Sequence, residues 1–379
     1  MVMNSSSPRR VAVVNSAQTV LAPAWTDRQH IDLISDVVTR ALKGTGLRID
    51  DVDFVIDSGS DFLDGRSISN CGFLGAMGAH HKEESRIEED GLWALNYATN
   101  KIAGGSASVG LVIAYSKPSE SNVDAYWTAL IEPFLQRPVG LDQFVAAGLT
   151  AQQYLAAAGL TADDLKLVSE RAWANAGRNA SVDTSAFPFD EAFWGEDVAT
   201  PLRRSDMARP VDGAVAVLVA REEVANQVAK RPVWISGSGS AIDQHFMAAR
   251  EATTLPACEA AARTAYRMSG TTADDYDLIE VSGRSTVGEL MVLEALGQAE
   301  TYKAIDHYRG ETQKSINLSG GAIPADPIMA TGLVRLHEAA SRLAGRTGYE
   351  ATEARRALVH GTGGFEMQNH CVVTMEVDQ

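Results

Sequence analysis

One segment of this chain occurs twice. Gly46-Leu47-Arg48-Ile49-Asp50-Asp51-Val52-Asp53-Phe54-Val55-Ile56-Asp57-Ser58-Gly59 returns as Gly270-Thr271-Thr272-Ala273-Asp274-Asp275-Tyr276-Asp277-Leu278-Ile279-Glu280-Val281-Ser282-Gly283, an ungapped offset of 224 with the Asp-Asp-x-Asp core in register. A second pair follows at an offset of 241. There Gly91-Leu92, Leu95, Ala98 and Lys101-Ile102-Ala103-Gly104 match Gly332-Leu333, Leu336, Ala339 and Arg342-Leu343-Ala344-Gly345, and a strand-like run starts after each, at Leu111 and at Leu358. The chain is therefore expected to hold two copies of one α/β unit fused in tandem, each burying its apolar faces against the other.

Within each copy the order reads helix, acidic turn, buried strand, connection, helix, strand. Ile31, Leu33, Ile34, Val37, Val38 and Leu42 recur at helical spacing, whereas Phe54-Val55-Ile56 and Leu278-Ile279 are short apolar runs suited to strands covered on both faces. Parallel sheets flanked by helices are expected from that order. The helices starting at Gly91 and Gly332 are apolar around most of their girth, which makes them the expected central pair, packed about a pseudo-twofold axis. Whatever precedes their starts would face a shared cleft.

Composition narrows the function classes. A net charge of −16 argues against nucleic acid and anionic membranes, whose recognition needs a basic footprint. With no run of 18 apolar residues and no charged-then-apolar leader, a soluble, cytoplasmic protein is expected. Cys71, Cys258 and Cys371 match neither a metal spacing nor a disulfide framework, so no metal is expected. Residues 1–10 read as a disordered tail. Residues 117–205, with Pro118, Pro133, Pro138 and a helical pattern over Ala162 to Ala176, are explained by neither copy and read as an inserted lid or substrate wall; 206–228 then return the chain to the first half, 11–116, and 229–379 form the second.

Asn317-Leu318-Ser319-Gly320-Gly321 with Pro327 and Ala330-Thr331-Gly332, Pro210-Val211-Asp212-Gly213-Ala214, Leu293-Glu294-Ala295-Leu296-Gly297 and His360-Gly361-Thr362-Gly363-Gly364 together resemble the thiolase superfamily, in particular the sterol-carrier-protein type. The resemblance spans almost the whole chain. It implies a five-layered α/β/α/β/α duplication with an inserted loop domain, dimerisation through the first sheet, and a coenzyme A thioester as substrate with no bound cofactor. Ser319, Gly320, Gly321, Gly363, Gly364 and Arg284 are the substrate-binding candidates it implies, Arg284 having a phosphate, a carboxylate or Glu280 as alternative partners.

The family's Cys-x-x-Gly at the first central helix falls on Glu88-Glu89-Asp90-Gly91, so the nucleophile's place is taken by Glu88, a far poorer acyl acceptor than a thiolate. Asp326 stands near the histidine of the Gly-His-Pro loop, and Ser282-Gly283-Arg284-Ser285 replaces the segment that polarises the thioester; His360 alone keeps the family's pattern. Ala241-Ile242-Asp243-Gln244-His245-Phe246-Met247 is similar to a segment of thiolase-fold aldolases that cleave steroid side chains without a cysteine, with His245 at a tyrosine's place. Those aldolases work with a small zinc-ribbon and oligosaccharide-binding-fold partner. Each residue also has a structural reading: the acidic triplet as helix N-capping, Asp326 as a turn former, His360 as a buried hydrogen-bonded group and His245 as a surface residue.

Two functions follow as expectations. One is an enzyme making or breaking a carbon–carbon bond beside a coenzyme A thioester by acid/base chemistry, with His360, His245, Asp326 and Glu88 around one cleft shared with Gly320-Gly321 and Gly363-Gly364. The other is a degenerate subunit paired with an active thiolase-like chain, as homodimer or heterodimer partner in an acyl-CoA complex.

Overall fold

The computed structural model describes residues 9–185, 187, 191–311, 314–349 and 352–378. Most of the expected tail lies outside these. Arg10 is anchored instead, its guanidinium 2.9 Å from Asp378 and stacked 4.0 Å from the Trp234 ring.

The first half runs β1 (Val11–Gln18), α1 (His30–Leu42), β2 (Phe54–Ser58), α2 (Leu74–Met77), β3 (Glu83–Ile87), α3 (Gly91–Ala103) and β4 (Val109–Ser116). An intervening segment holds α4 (Val123–Leu130), α5 (Gln143–Ala158), α6 (Ala162–Arg178), α7 (Glu191–Gly195) and the two-stranded β5 (Asp197–Ala199) and β6 (Leu202–Arg203). β7 (Gly213–Arg221) and α8 (Glu222–Val228) return the chain to the first half. The second half is β8 (Val233–Ile242), α9 (Pro256–Ser269), β9 (Leu278–Glu280), α10 (Thr286–Ala295), β10 (Ser315–Ile316), α11 (Thr331–Leu343), β11 (Arg356–Gly363) and β12 (Asn369–Glu376).

The repeated Asp-Asp-x-Asp has a local cause. Asp51 Oδ2 accepts from the Arg48 N–H at 2.8 Å, and Asp275 Oδ2 from the Thr272 N–H at 2.7 Å, so each carboxylate caps the tight turn that launches its strand.

Strand order is β10-β9-β11-β12-β8-β1-β7-β4-β2-β3. It is palindromic about β1/β8: β1 answers β8, β7 answers β12, β4 answers β11, β2 answers β9 and β3 answers β10. The sheets are mixed rather than parallel throughout. β2 pairs parallel with β3 and β4, as β9 does with β10 and β11, but β4/β7, β7/β1, β8/β12 and β12/β11 are antiparallel. Helical crossovers join the parallel strands, whereas β12 follows β11 through a tight hairpin, a connection that forces antiparallel pairing. The halves are also one continuous sheet, joined where Val11, Ala12 and Val13 pair with Ile235, Trp234 and Val233.

Helices α3 and α11 pack against each other and touch both halves: α3 lies on β4 and β2 as well as β12 and β8, and α11 on β11 and β9 as well as β1 and β7. Helices α1 and α8 cover the outer face of the first half, and α9 that of the second. Three buried clusters correspond to these levels, the middle one containing Leu92, Leu95, Ala98, Leu333, Leu336 and Ala339 from the two central helices. The tandem duplication expected from the repeats, and the five-layered packing implied by the resemblance, are the observed architecture.

Candidate active site

The two central helices start side by side, and one side chain ties them together. Asp90 caps α3 by accepting from the Leu92 N–H at 2.9 Å, and its other oxygen accepts from the Gly332 N–H at 2.8 Å, at the start of α11. Glycine is required at both starts. A Cβ on Gly332 would lie 2.3 Å from Asp90 Oδ1, and one on Gly91 would lie 2.7 and 2.8 Å from the Cβ atoms of Ala114 and Leu333. Burial pushes the Asp90 carboxyl up to about 7, against the lowering effect of its two amide bonds.

A cleft of ≈ 70 Å³ opens in front of this junction. Its walls come from the acidic triplet before α3, from Tyr126 and Trp127 of α4, from Arg284 before α10, from Asp326 and Met329 before α11, and from Thr362, Gly363 and Gly364 at the end of β11. The acidic residues are not equivalent. Glu88 turns outward: it is 53% exposed, pairs with the Arg86 Nε at 2.9 Å and accepts from the Asp61 N–H at 2.8 Å. Glu89 turns inward, where it accepts from the Asn369 side-chain amide and lies against the backbone of Gly363, whose Cβ would come within 2.0 Å of Glu89 Oε2. Burial raises the Glu89 carboxyl, Asn369 opposes the rise and neighbouring Glu88 adds to it. Thr362 Oγ1 donates to the Asn369 carbonyl at 3.0 Å, holding this arm in place.

Across the cleft Asp326 is 1% exposed, accepts from Arg284 Nη1 at 3.0 Å and keeps its second oxygen, Oδ1, without a hydrogen-bond partner. Burial raises this carboxyl too, while Arg284 and then Arg335 pull it down. The Arg284 guanidinium stacks 3.7 Å from the Trp127 ring. Arg284 thus pairs with Asp326 rather than with Glu280, whose partner is Arg335. The cleft thus carries several carboxyl groups and one guanidinium, a setting that favours proton sharing.

Other expected site residues lie elsewhere. His360 is fully buried and does not line the cleft. Along β11, Val359 belongs to the middle core cluster and Leu358 to the outer one, so His360 faces outward beneath α9 with Leu358, by strand alternation. Its Nδ1 accepts from the Ser282 N–H at 3.4 Å and its Nε2 lies 3.0 Å from His370 Nδ1; burial and the second imidazole hold it well below the usual histidine range, so it is neutral. Cys258, His360 and His370 place their ligand-type atoms within 4.8 Å of one another, yet the Ser282 amide already assigns the His360 proton to Nε2, facing His370.

His245 is exposed and bonds the Leu130 carbonyl at 2.8 Å, tethering its loop to the end of α4 outside the cleft. Ser319, Gly320 and Gly321 are buried and do not line the cleft. The Ser319 hydroxyl donates to Glu280 and accepts from Arg335, and the two glycines have φ of 104° and 71°, with Ala176 and Asn317 packed where side chains would be. Their task is to satisfy a buried carboxylate and shape a turn. Sequence reasoning missed Glu89, although it sits in the same triplet, and missed Asn369, which nothing in the local sequence marks.

Neither buried cysteine offers an activated thiol. Cys71 is exposed, whereas Cys258 and Cys371 are buried and their thiols are pushed up by burial, Cys371 further by the Asp90 and Glu89 charges beside it.

Comparison with known proteins agrees with this fold. A family model described as thiolase C-terminal domain-like matches residues 239–376. The acetyl-CoA acetyltransferase of Methanocaldococcus jannaschii is 26% identical over 362 residues, covering 87% of this chain and 88% of its own length. Among solved structures, the Ltp2-ChsH2(DUF35) aldolase superposes with a TM-score of 0.79 at 20% identity, covering 97% of this chain and 98% of that one. A monomeric SCP2-thiolase-like protein type 1 from Mycobacterium smegmatis gives 0.74 at 17% identity, covering 98% and 77%. The architecture is the thiolase fold, and these likenesses support the thiolase superfamily.

Proposed function

We propose that this chain is a thiolase-like acyl-CoA enzyme that makes or cleaves a carbon–carbon bond next to a coenzyme A thioester by acid/base chemistry, without a covalent cysteine intermediate. One observation carries the reading: two carboxyl groups raised by burial, the fully buried Asp326 and the half-buried Glu89, face the same cleft at the start of the central helices. Their surroundings push their roles apart. Asp326, beside the Arg284 guanidinium, is the better base, and Glu89, flanked by acidic neighbours, is the better acid.

In the cleavage direction Asp326 removes the proton of a β-hydroxyl group. The Cα–Cβ bond breaks as the β-carbon becomes a carbonyl, the electron pair forms the thioester enolate, and Glu89 returns a proton to Cα. Arg284 supplies positive charge where the enolate oxygen develops. The similar proteins support this chemistry, one being an aldolase and another an acetyl-CoA acetyltransferase. A dimer joined at the edge strand β3 and a small zinc-containing partner belong to the same proposal, the latter resting on the two-component aldolase. The small cleft favours a second reading, a non-catalytic subunit paired with an active thiolase-like chain.

The test is cleavage of a 3-hydroxyacyl-CoA by the full chain, alone and with co-expressed partners, comparing wild type with Glu89→Gln and Asp326→Asn. Each variant is expected to lose on the order of 100-fold or more in kcat. Wild-type rates in both would assign the chemistry to another chain.

A further inference from the structure

The acidic triplet is preceded by an arginine whose side chain reaches several elements at once. Arg86, near the end of β3, has a side chain 12% exposed. Its Nη1 donates to Asp57 of β2 at 3.0 Å and to the Tyr115 hydroxyl of β4 at 2.7 Å, and its Nη2 donates to Asp64 of the loop after β2 at 3.4 Å. The side chains of Asp57 and Asp64 are 0% and 2% exposed. Gly59 leaves the guanidinium room, since a Cβ there would lie 3.0 Å from Arg86 Nη2. The remaining donor, Nε, goes to Glu88 at 2.9 Å.

Glu88 is held by a second contact, because its other oxygen accepts from the Asp61 N–H at 2.8 Å. An exposed ion pair by itself is worth little, as two flexible side chains must be ordered to make it. Here only Glu88 has to be ordered: the guanidinium is already fixed by Asp57, Tyr115 and Asp64 in a planar fork that presents Nε toward residue 88. The backbone of the triplet is pinned separately. The Ser58 hydroxyl donates to the Glu89 carbonyl, and the Gly91 N–H donates to the Met329 carbonyl at 2.8 Å. With the backbone held, the chemistry depends on which side chain turns inward. Glu88 lines the same cleft as Glu89, Asp90 and Asp326, with Arg284 as the one guanidinium in that lining, so an unlatched Glu88 would bring further negative charge to it.

We propose that Arg86 is a positioning residue that latches Glu88 at the rim, so that of two adjacent glutamates only Glu89 serves the cleft as an acid. The inference rests on the acid/base reading above and adds to it how the acid is selected. A neighbouring negative charge raises the proton affinity of a carboxyl, and Glu88 already adds to the rise at Glu89 from its latched position. Released from Arg86, it raises Glu89 further.

The experiment reads the titration midpoint of Glu89 in the full chain without substrate, from the infrared carbonyl band of its protonated carboxyl, isolated by subtracting the spectrum of Glu89→Gln made in the same background. Glu89 is faced by Asn369 and Cys371 of β12, by Tyr126 of α4, by Asp326 and Arg284 of the cleft and by Asp90 beside it, and all of these stay in place. Glu88→Asp keeps the charge but is shorter by one carbon–carbon bond, about 1.5 Å, and cannot reach Arg86 and the Asp61 amide together. Glu88→Gln removes the charge, and Arg86→Gln removes the latch. Glu88→Asp and Arg86→Gln are expected to raise the Glu89 midpoint by about one pH unit or more, and Glu88→Gln to lower it. The double variant Arg86→Gln/Glu88→Gln is expected to fall back to the Glu88→Gln value, which a merely structural role for Arg86 would not produce. Should Arg86→Gln fail to fold because Asp57 and Asp64 lose their partner, the two substitutions at the exposed Glu88 decide alone. No shift in Glu88→Asp, or shifts of the same sign in both Glu88 variants, overturns the latch. Cleavage of a 3-hydroxyacyl-CoA by the same proteins keeps the two readings apart. Cleavage that requires Glu89, with an unmoved midpoint in Glu88→Asp, sinks the latch alone; the expected infrared shifts with no cleavage by wild type keep the latch and sink the acid/base reading.

Discussion

Replacing Asp90 by alanine tests the junction on which the site is built. Two buried N–H groups, on Leu92 and Gly332, lose their acceptor at once. Loss of an N-cap costs about 0.5–2 kcal/mol and an unsatisfied buried donor about 1–3 kcal/mol, which together suggest roughly 3 kcal/mol. The cost depends on pH, and its sign is fixed by the carboxyl. Because the folded-state value lies near 7, above the unfolded value near 4, the protonated carboxyl favours folding; that contribution is complete below pH 4 and is lost as pH rises through 7. At about 1.4 kcal/mol per pH unit over this window, the alanine variant should be about 3 kcal/mol less stable than wild type at pH 5 and within about 1 kcal/mol of it at pH 8. Urea unfolding followed by fluorescence and circular dichroism at the two pH values gives both differences. A cost that stays constant or grows with pH would refute the reasoning, because it would mean Asp90 is ionised in the native state throughout.

Further expectations concern single positions. Gly332→Ala should destabilise by about 1–3 kcal/mol, because its Cβ must displace the Asp90 carboxylate; thermal melts compared with Gly345→Ala, where the space is open, separate the clash from backbone strain. Of the three cysteines only Cys71 should react with Ellman's reagent in the native protein, with Cys258 and Cys371 appearing on unfolding; a second fast thiol would contradict their burial. His360→Ala should cost about 2–4 kcal/mol in stability through the lost packing and the broken histidine pair, yet leave the pH profile of acyl-CoA binding unmoved; a shifted profile would return His360 to the cleft.

How much of this could be read from the chain alone differs between fold and site. Tandem repetition, helical and strand periodicity and the paired glycines at 91 and 332 are local or translational signals, so they carried the duplication, the acidic turns and the central helix pair. Strand direction was misread, since periodicity reports which faces are buried but not which neighbour a strand meets. At the site, the spacing to Gly91 located the acidic triplet, but only the tertiary structure decided which of its members enters the cleft: Arg86 and the Asp61 amide draw Glu88 outward, while Asn369, 280 residues away, draws Glu89 inward. The same holds for His360, whose place on β11 is a matter of strand parity and whose facing depends on which side of the sheet meets the central helices. What the sequence by itself determined is the repeated pattern of elements, because that pattern is carried by neighbours along the chain. Only the folded structure decided the chemistry of the cleft, because carboxyl orientation, burial and proton affinity are set by groups that sequence distance keeps far apart.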